Sequence, residues 1–210
     1  LVAKLTQVRQ IVYLSGICNE VKLSKHLMAR SEVKAVLARS GIPYTIFEAG
    51  IIVGSGSISF EIIRDLTEIL PLMVVPYWLN SRCQPIAIRN VIYYLQHCLL
   101  NEKTFSRIFE IGGPDVLTYK DMILKYAKVR GYKRYIISVP SLFPFPRLST
   151  YWLYFTTSAN FTIARQLVDS MKSDTICKGF SIREIIPQYL IPYEEAIQMA
   201  FTKIEQNMVL

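Results

Sequence analysis

The sequence predicts an α/β fold built on a doubly wound parallel sheet, and three observations predict it. Residues 10–16 (QIVYLSG) and 44–53 (YTIFEAGIIV) carry apolar side chains on both alternating positions. A strand with one wet face alternates, whereas a strand apolar on both sides needs a helix above and below it, the habit of parallel sheets. Between the two runs lies a charged stretch of helical character, as a crossover between parallel strands requires. Gly41 supplies the left-handed residue that ends this helix, and Pro43 prevents its continuation.

Taken in order, the chain opens on a helical pattern (LVAKLTQVRQ) and enters the first strand at residue 10. Ser24 is a candidate cap for the crossover helix, with Leu27, Val33, Val36 and Leu37 as much of its apolar face. After the second strand, residues 57–70 carry Ile58, Ile62, Ile63, Leu66 and Ile69 at helical spacing. Pro71 and Pro76 bracket a short strand, residues 84–88 read as another, and residues 90–100 as a helix. Residues 107–111 form a strand closed by Gly112, Gly113 and Pro114; Thr118 with Asp121 three residues on approximates a capping box. From Tyr135 prolines at 140, 144 and 146 punctuate an aromatic segment, followed by a helical pattern to about residue 171. Pro192, Glu194 and Glu195 open a last helix with Ala196, Met199, Ala200 and Ile204 on one face. The pattern divides the chain into an α/β portion, residues 1–115, and a mostly helical portion, residues 116–210.

Composition narrows the function classes. At 210 residues and 51% hydrophobic content the chain buries a full core. No run reaches the length of a membrane span; the nearest, residues 148–164, contains six Ser/Thr and an Asn and reads as a buried or interfacial helix. Cys18, Cys83, Cys98 and Cys177 are widely spaced, and only His26 and His97 could join them, so a zinc site is not expected. Reduced structural thiols in the cytoplasm are the expectation. The formal charge of +8 suggests an anionic partner, but the basic residues cluster only at Lys120, Lys125, Lys128, Arg130, Lys133 and Arg134. No aromatic-and-basic RNA platform or helix-turn-helix pattern accompanies them, so these read as one solvated helix face, and no nucleic-acid partner is expected.

The ordered blocks VYLSG, EVKAVLARSGIPYTI, GIIVG, QPIAIRNV and IGGP together resemble an atypical extended short-chain dehydrogenase/reductase, near the NmrA-like and nucleoside-diphosphate-sugar-epimerase-like branches. The resemblance covers essentially the whole chain. It implies a Rossmann-like sheet of which this chain is the C-terminal part, strands one to four of the family preceding VYLSG. The family's G-x-x-G-x-x-G turn, which cradles a dinucleotide pyrophosphate, has no match here, so NAD(P) binding is expected to require the absent N-terminal part. The glycines at 50, 54 and 56 fall at a later strand and are not that turn.

The family's catalytic helix carries Tyr-x-x-x-Lys, and the resemblance places His26 and Arg30 at those positions. A neutral imidazole serves as an acid or base near neutral pH; Arg holds ribose hydroxyls or phosphate in a wider fork than Lys. Ser15 matches the small hydroxyl residue that helps hold a substrate carbonyl, and as a residue pattern it equally fits a strand-end Ser bonded to backbone. The resemblance assigns Arg30, Ala49, Gly50 and Ile51 to the cofactor and Ser15, His26 and Arg30 to catalysis. Glu48 stands where the family often has Arg. Arg89 and Asn90, in place of the family's Asp-Asp, read as structural or surface groups, and Tyr151, Trp152, Tyr154 and Phe155 as core or pocket lining.

Two functions are therefore expected as alternatives. One is redox or epimerase-type chemistry on a small organic substrate; the other is a non-catalytic NAD(P)-dependent sensor or scaffold, docking a protein or a membrane surface. The chain begins with Leu and is expected to be a fragment. Were it complete, residues 10–16 would form an open apolar edge that pairs with a second copy or a partner's strand.

Overall fold

The computed structural model describes residues 2–17, 25–139, 173–179 and 181–208. A short helix α1 (Val2–Leu5) leads into strand β1 (Ile11–Gly16), helix α2 (Lys25–Arg39) and strand β2 (Tyr44–Ala49). There follow β3 (Ile52–Val53), α3 (Ile58–Ile69), β4 (Leu72–Pro76), β5 (Arg82–Cys83), β6 (Ile86–Ala87), α4 (Ile88–His97) and β7 (Arg107–Ile111). The second portion contributes β8 (Leu117–Thr118), α5 (Tyr119–Val129), β9 (Tyr135–Val139), α6 (Ile182–Ile185) and α7 (Tyr193–Met208).

The main sheet is parallel in the order β1-β2-β7, with Leu14, Phe47 and Phe109 in one row and Ser15, Glu48 and Glu110 in the next. Neighbouring rows point to opposite faces. The Phe47 row packs on Val91, Tyr94 and Cys98 from α4 and on Ile182 and Ile186. Phe47 lies 6.0 Å between ring centroids from both Tyr94 and Phe109. The Glu48 row faces α2. Among the described residues β1 pairs only with β2, and its other side is an open edge.

A second core joins β4 to α3, α5 and α7 through Phe60, Met73, Tyr126, Ile197 and Phe201. Tyr126 sets its ring 5.6 Å from Phe201 and donates its hydroxyl hydrogen to Glu68 at 2.7 Å. The capping box forms: Thr118 Oγ1 accepts from the Asp121 amide at 3.0 Å, and Asp121 accepts from the Thr118 amide at 3.1 Å.

Several expectations are corrected. Of the proposed apolar face of α2, Val33 at 38% and Val36 at 67% exposure are turned outward, Leu37 is half-buried, and the Leu27 side chain lies outside the described residues. Lys34 takes an inward position because it pairs with Glu48 on the sheet, and Arg30 packs against Gly16. Residues 84–88 are not one strand. Pro85 follows Gln84, whose side chain donates to the Gly113 carbonyl at 2.7 Å and accepts from the Cys177 amide at 3.2 Å. The chain breaks there, and helix α4 starts at Ile88. Tyr135 begins a strand, β9, which pairs in parallel with β4 of the first portion.

The basic cluster is also not a free solvated face. Lys125 and Lys128 reach Glu194, Arg130 stacks 4.0 Å over Phe201, and Arg134 caps α3 through the Thr67 and Glu68 carbonyls. Arg89 is on the surface. Asn90 is buried and tethers residues 188–191, accepting from the Ile191 amide at 3.0 Å. Ser24, Cys18 and the aromatic run at 151–155 lie outside the described residues, as does the helical pattern at 148–164. Among the described residues no helix is long and apolar enough to cross a membrane, and no group of His, Cys, Asp and Glu is arranged to hold a metal.

Candidate functional site

The site is built at the C-terminal ends of the three parallel strands, where the crevice of an open α/β sheet lies. Ser15 ends β1 beside Glu48 of β2, which in turn lies beside Glu110 of β7. Ser15 is 4% exposed, and its Oγ is buried without a hydrogen-bond partner. This departs from the backbone-bonded serine that the sequence pattern also allowed. Helix α2 runs antiparallel to the strands, so its early turns lie over this row. Arg30 reaches the residue after Ser15: its guanidinium lies where a side chain on Gly16 would start, with Cζ 3.6 Å from that point. Any residue with a Cβ at 16 would displace it.

One turn further along α2, Lys34 pairs with Glu48. Both are largely buried, the side chains retaining 19% and 10% of their exposure. The carboxylate that stands where the family often has Arg is therefore held internally. Sequence reasoning missed Lys34, although its position four residues after Arg30 put both on one helix face. Glu110, the next carboxylate in the row, accepts from the Lys178 amide.

Of the other expected residues, Ala49 and Ile51 are buried, and their carbonyls accept from the Ile17 amide at 3.0 Å and the Ile86 amide at 2.9 Å. A Cβ at Gly50 would meet the Gln84 carbonyl oxygen at 3.2 Å, so the close approach at Gly50 is to backbone. Ala49 ends β2, and Gly50 and Ile51 lie between β2 and β3, whereas Ser15 and Gly16, the residue that Arg30 packs against, end β1. His26 lies in α2 one turn before Arg30, and its side chain is outside the described residues.

The thiols near the site are not nucleophiles. Burial pushes Cys177 up to about 12, with Glu110 adding to the effect, and burial with Asp174 and Asp121 does the same for Cys83. Burial raises Cys98 to about 11.

No protein-family model and no curated protein sequence matches the chain. Solved structures do. An NADPH-dependent quinone oxidoreductase from Escherichia coli matches with a TM-score of 0.73 at 14% identity, over 95% of this chain and 70% of its own. A nucleoside-diphosphate-sugar epimerase from Staphylococcus aureus matches at 0.70 and 12%, over 93% and 67%. The Bordetella bronchiseptica enzyme WbmH in complex with NAD+ matches at 0.65 and 13%, over 97% and 65%. The chain thus spans about two thirds of the length of these proteins. At such identities the likeness is one of fold, and it agrees with the strand order: this chain has the α/β fold of NAD(P)-binding epimerases and reductases.

Proposed function

We propose that the protein carrying this chain is an NAD(P)-binding oxidoreductase or epimerase-like protein that acts on a small organic substrate. The observation that carries this reading is the Ser15 hydroxyl, buried without a partner at the end of a parallel strand. A buried hydroxyl left unpaired costs about 1–3 kcal/mol, and such a group is understandable where a ligand completes it. The neighbouring Arg30 and the ends of β1 and β2 fit the nicotinamide side of a dinucleotide. When bound, the nicotinamide supplies or accepts hydride.

In this reading Ser15 donates a hydrogen bond to the substrate's carbonyl oxygen and Arg30 holds the ribose side of the cofactor. His26 gives or takes the proton, directly or through water, and the turn Ala49-Gly50-Ile51 shapes the wall beside the nicotinamide. Residues 116–210 cover the substrate, residues 1–115 hold the cofactor, and the main pyrophosphate grip comes from sequence outside this chain. The protein works in the cytoplasm.

The test mixes the protein with NADPH and a panel of carbonyl compounds while nicotinamide absorbance is followed. Steady consumption, reduced about a hundredfold in His26→Ala, is the expected result. Full turnover in His26→Ala would remove the proton-transfer role. The second reading, a non-catalytic NAD(P)-dependent sensor or scaffold docking a protein or membrane surface, is favoured by His26 and Arg30 standing where the resemblance expects Tyr and Lys. Saturable NADPH binding with no consumption would select it.

A further inference from the structure

We infer that Gln84 is a positioning residue: its buried side-chain amide clasps residues 175–177 to the turn after β7 and so fixes the wall beside Gly50. This role rests on the reading above, in which the turn Ala49-Gly50-Ile51 shapes the nicotinamide side.

Residues 173–179 belong to the second portion of the chain, yet they run beside β5 and the end of β7 in the first. Asp174 accepts from the Arg82 amide at 2.7 Å and from the Arg82 guanidinium at 2.8 and 3.0 Å. The Thr175 amide donates to the Arg82 carbonyl at 2.8 Å, and the Gln84 amide donates to the Thr175 carbonyl at 3.2 Å. Further on, the Lys178 amide donates to Glu110. Between these anchors stands the Gln84 side chain, 2% exposed. Its Nε2 donates to the Gly113 carbonyl at 2.7 Å, and its Oε1 accepts from the Cys177 amide at 3.2 Å. A carbonyl on one side and an N–H on the other fix which way the amide points. One side chain thus joins backbone groups 29 and 93 residues away, one in each portion of the chain.

The packing transmits this clasp to the site. A Cβ on Gly112 would lie 2.7 Å from the Gln84 Cδ and 2.8 Å from the Cys177 Sγ, so the amide is wedged against the turn after β7. A Cβ on Gly50 would lie 3.2 Å from the Gln84 carbonyl oxygen and 3.6 Å from the Thr175 carbonyl oxygen. Gly50 therefore faces a surface made by the backbone of Gln84 and of the segment that Gln84 holds. A displacement of about 1 Å in such a wall is enough to misplace a reacting ring.

Gln84→Met fills similar space and removes both side-chain bonds. Gln84→Glu separates bonding from bulk. Its neutral carboxyl donates to Gly113 and accepts from Cys177, as the amide does, whereas its carboxylate turns a charged acceptor toward the Gly113 carbonyl. Burial favours the neutral form, so this variant passes from the first state to the second as pH rises through a raised carboxyl pKa.

The test uses the protein carrying this chain. NADPH and 2′-phospho-ADP-ribose, which lacks the nicotinamide, are titrated by calorimetry, and hydrogen exchange is followed in residues 173–179 and in α4. Gln84→Met should weaken NADPH binding about tenfold and leave the truncated ligand within about twofold. Exchange in residues 173–179 should quicken about tenfold, with α4 unmoved. Gln84→Glu should match the wild type at about pH 5.5 and Gln84→Met at about pH 8.5.

Unchanged NADPH affinity in Gln84→Met overturns the role, as does unchanged exchange in residues 173–179. Equal weakening of both ligands also overturns it, because a general loss of structure would do the same. Should Gln84→Met not fold, Gln84→Glu decides: NADPH affinity equal to that of the wild type at both pH values overturns the role. A wild type that binds no NADPH defeats the proposed function and the positioning role with it. A wild type that binds NADPH no better than the variants defeats the positioning role alone.

Discussion

Helix α4 rests on one face of the three-stranded sheet through Val91, Tyr94 and Cys98, which close on Phe47 and Phe109. Helix α2 meets the other face through Lys34 on Glu48, and turns Val33 and Val36 outward. The two helices cover the same strands with opposite chemistry. Apolar packing at α4 is non-directional and contributes stability in proportion to the area buried. Polar seating at α2 contributes less net stability, because desolvation offsets the attraction, but it fixes where each charge points. A helix that positions functional groups gains from the second arrangement, and a helix that anchors the sheet gains from the first.

The largest test of this contrast is Tyr94→Ala, which empties the centre of the α4 side. It should cost about 3–5 kcal/mol in urea unfolding. A loss below about 1 kcal/mol would mean that α4 is not the anchor. On the α2 side, Lys34→Met leaves Glu48 buried without its cation and should cost about 2–4 kcal/mol, while adding Glu48→Gln should recover more than half of that. A double mutant as unstable as the single one would show that the pair is not coupled.

Alkaline pH should weaken the α4 side by a smaller amount. Burial raises the Cys98 thiol from 9.0 to about 11 in the folded chain, so stability is full below about pH 9. Between about pH 9 and 11 the unfolded chain releases a proton that the folded chain keeps, and stability falls. Cys98→Ala should make that part of the pH profile shallower, with Cys83 and Cys177, raised in the same direction, supplying the rest; an unchanged slope would remove Cys98 as a contributor. The smallest effect is expected on the outer side of α2, where Val36→Ser should change stability by no more than about 0.5 kcal/mol. A much larger loss in the isolated chain would show that Val36 is covered in solution, for instance by a second copy.

Much of the fold was legible from local signals. The double-sided apolar runs of β1 and β2 revealed parallel strands, and Gly41, at φ +71, with Pro43 located the end of α2. Thr118 and Asp121 announced the start of α5. The break at Gln84 and Pro85 was less legible, because it depends on bonds from Gln84 to Gly113 and Cys177, distant in sequence. The face of α2 was misread for a related reason. Valine spacing suggests burial, but Lys34 won an inward position through its partner Glu48 on the following strand.

The candidate site divides in the same way. Ser15 and Arg30 were named from the family resemblance; Ser15 stands near the end of β1, and Arg30 packs against Gly16, the next residue. The role of Lys34 was hidden, since its partner Glu48 lies on the following strand and only the fold brings them together.

By itself the sequence determined the class of fold, the order of its strands and helices, and which residue types stand near the chemistry. Those features follow from periodicity and backbone restriction, which act over a few residues. Only the tertiary structure decided which charges are already satisfied and which remain for a ligand. Pairing depends on distances between residues remote in sequence, and burial sets how strongly each pair is felt. For that reason the charge of Glu48 is spent within the fold, on Lys34.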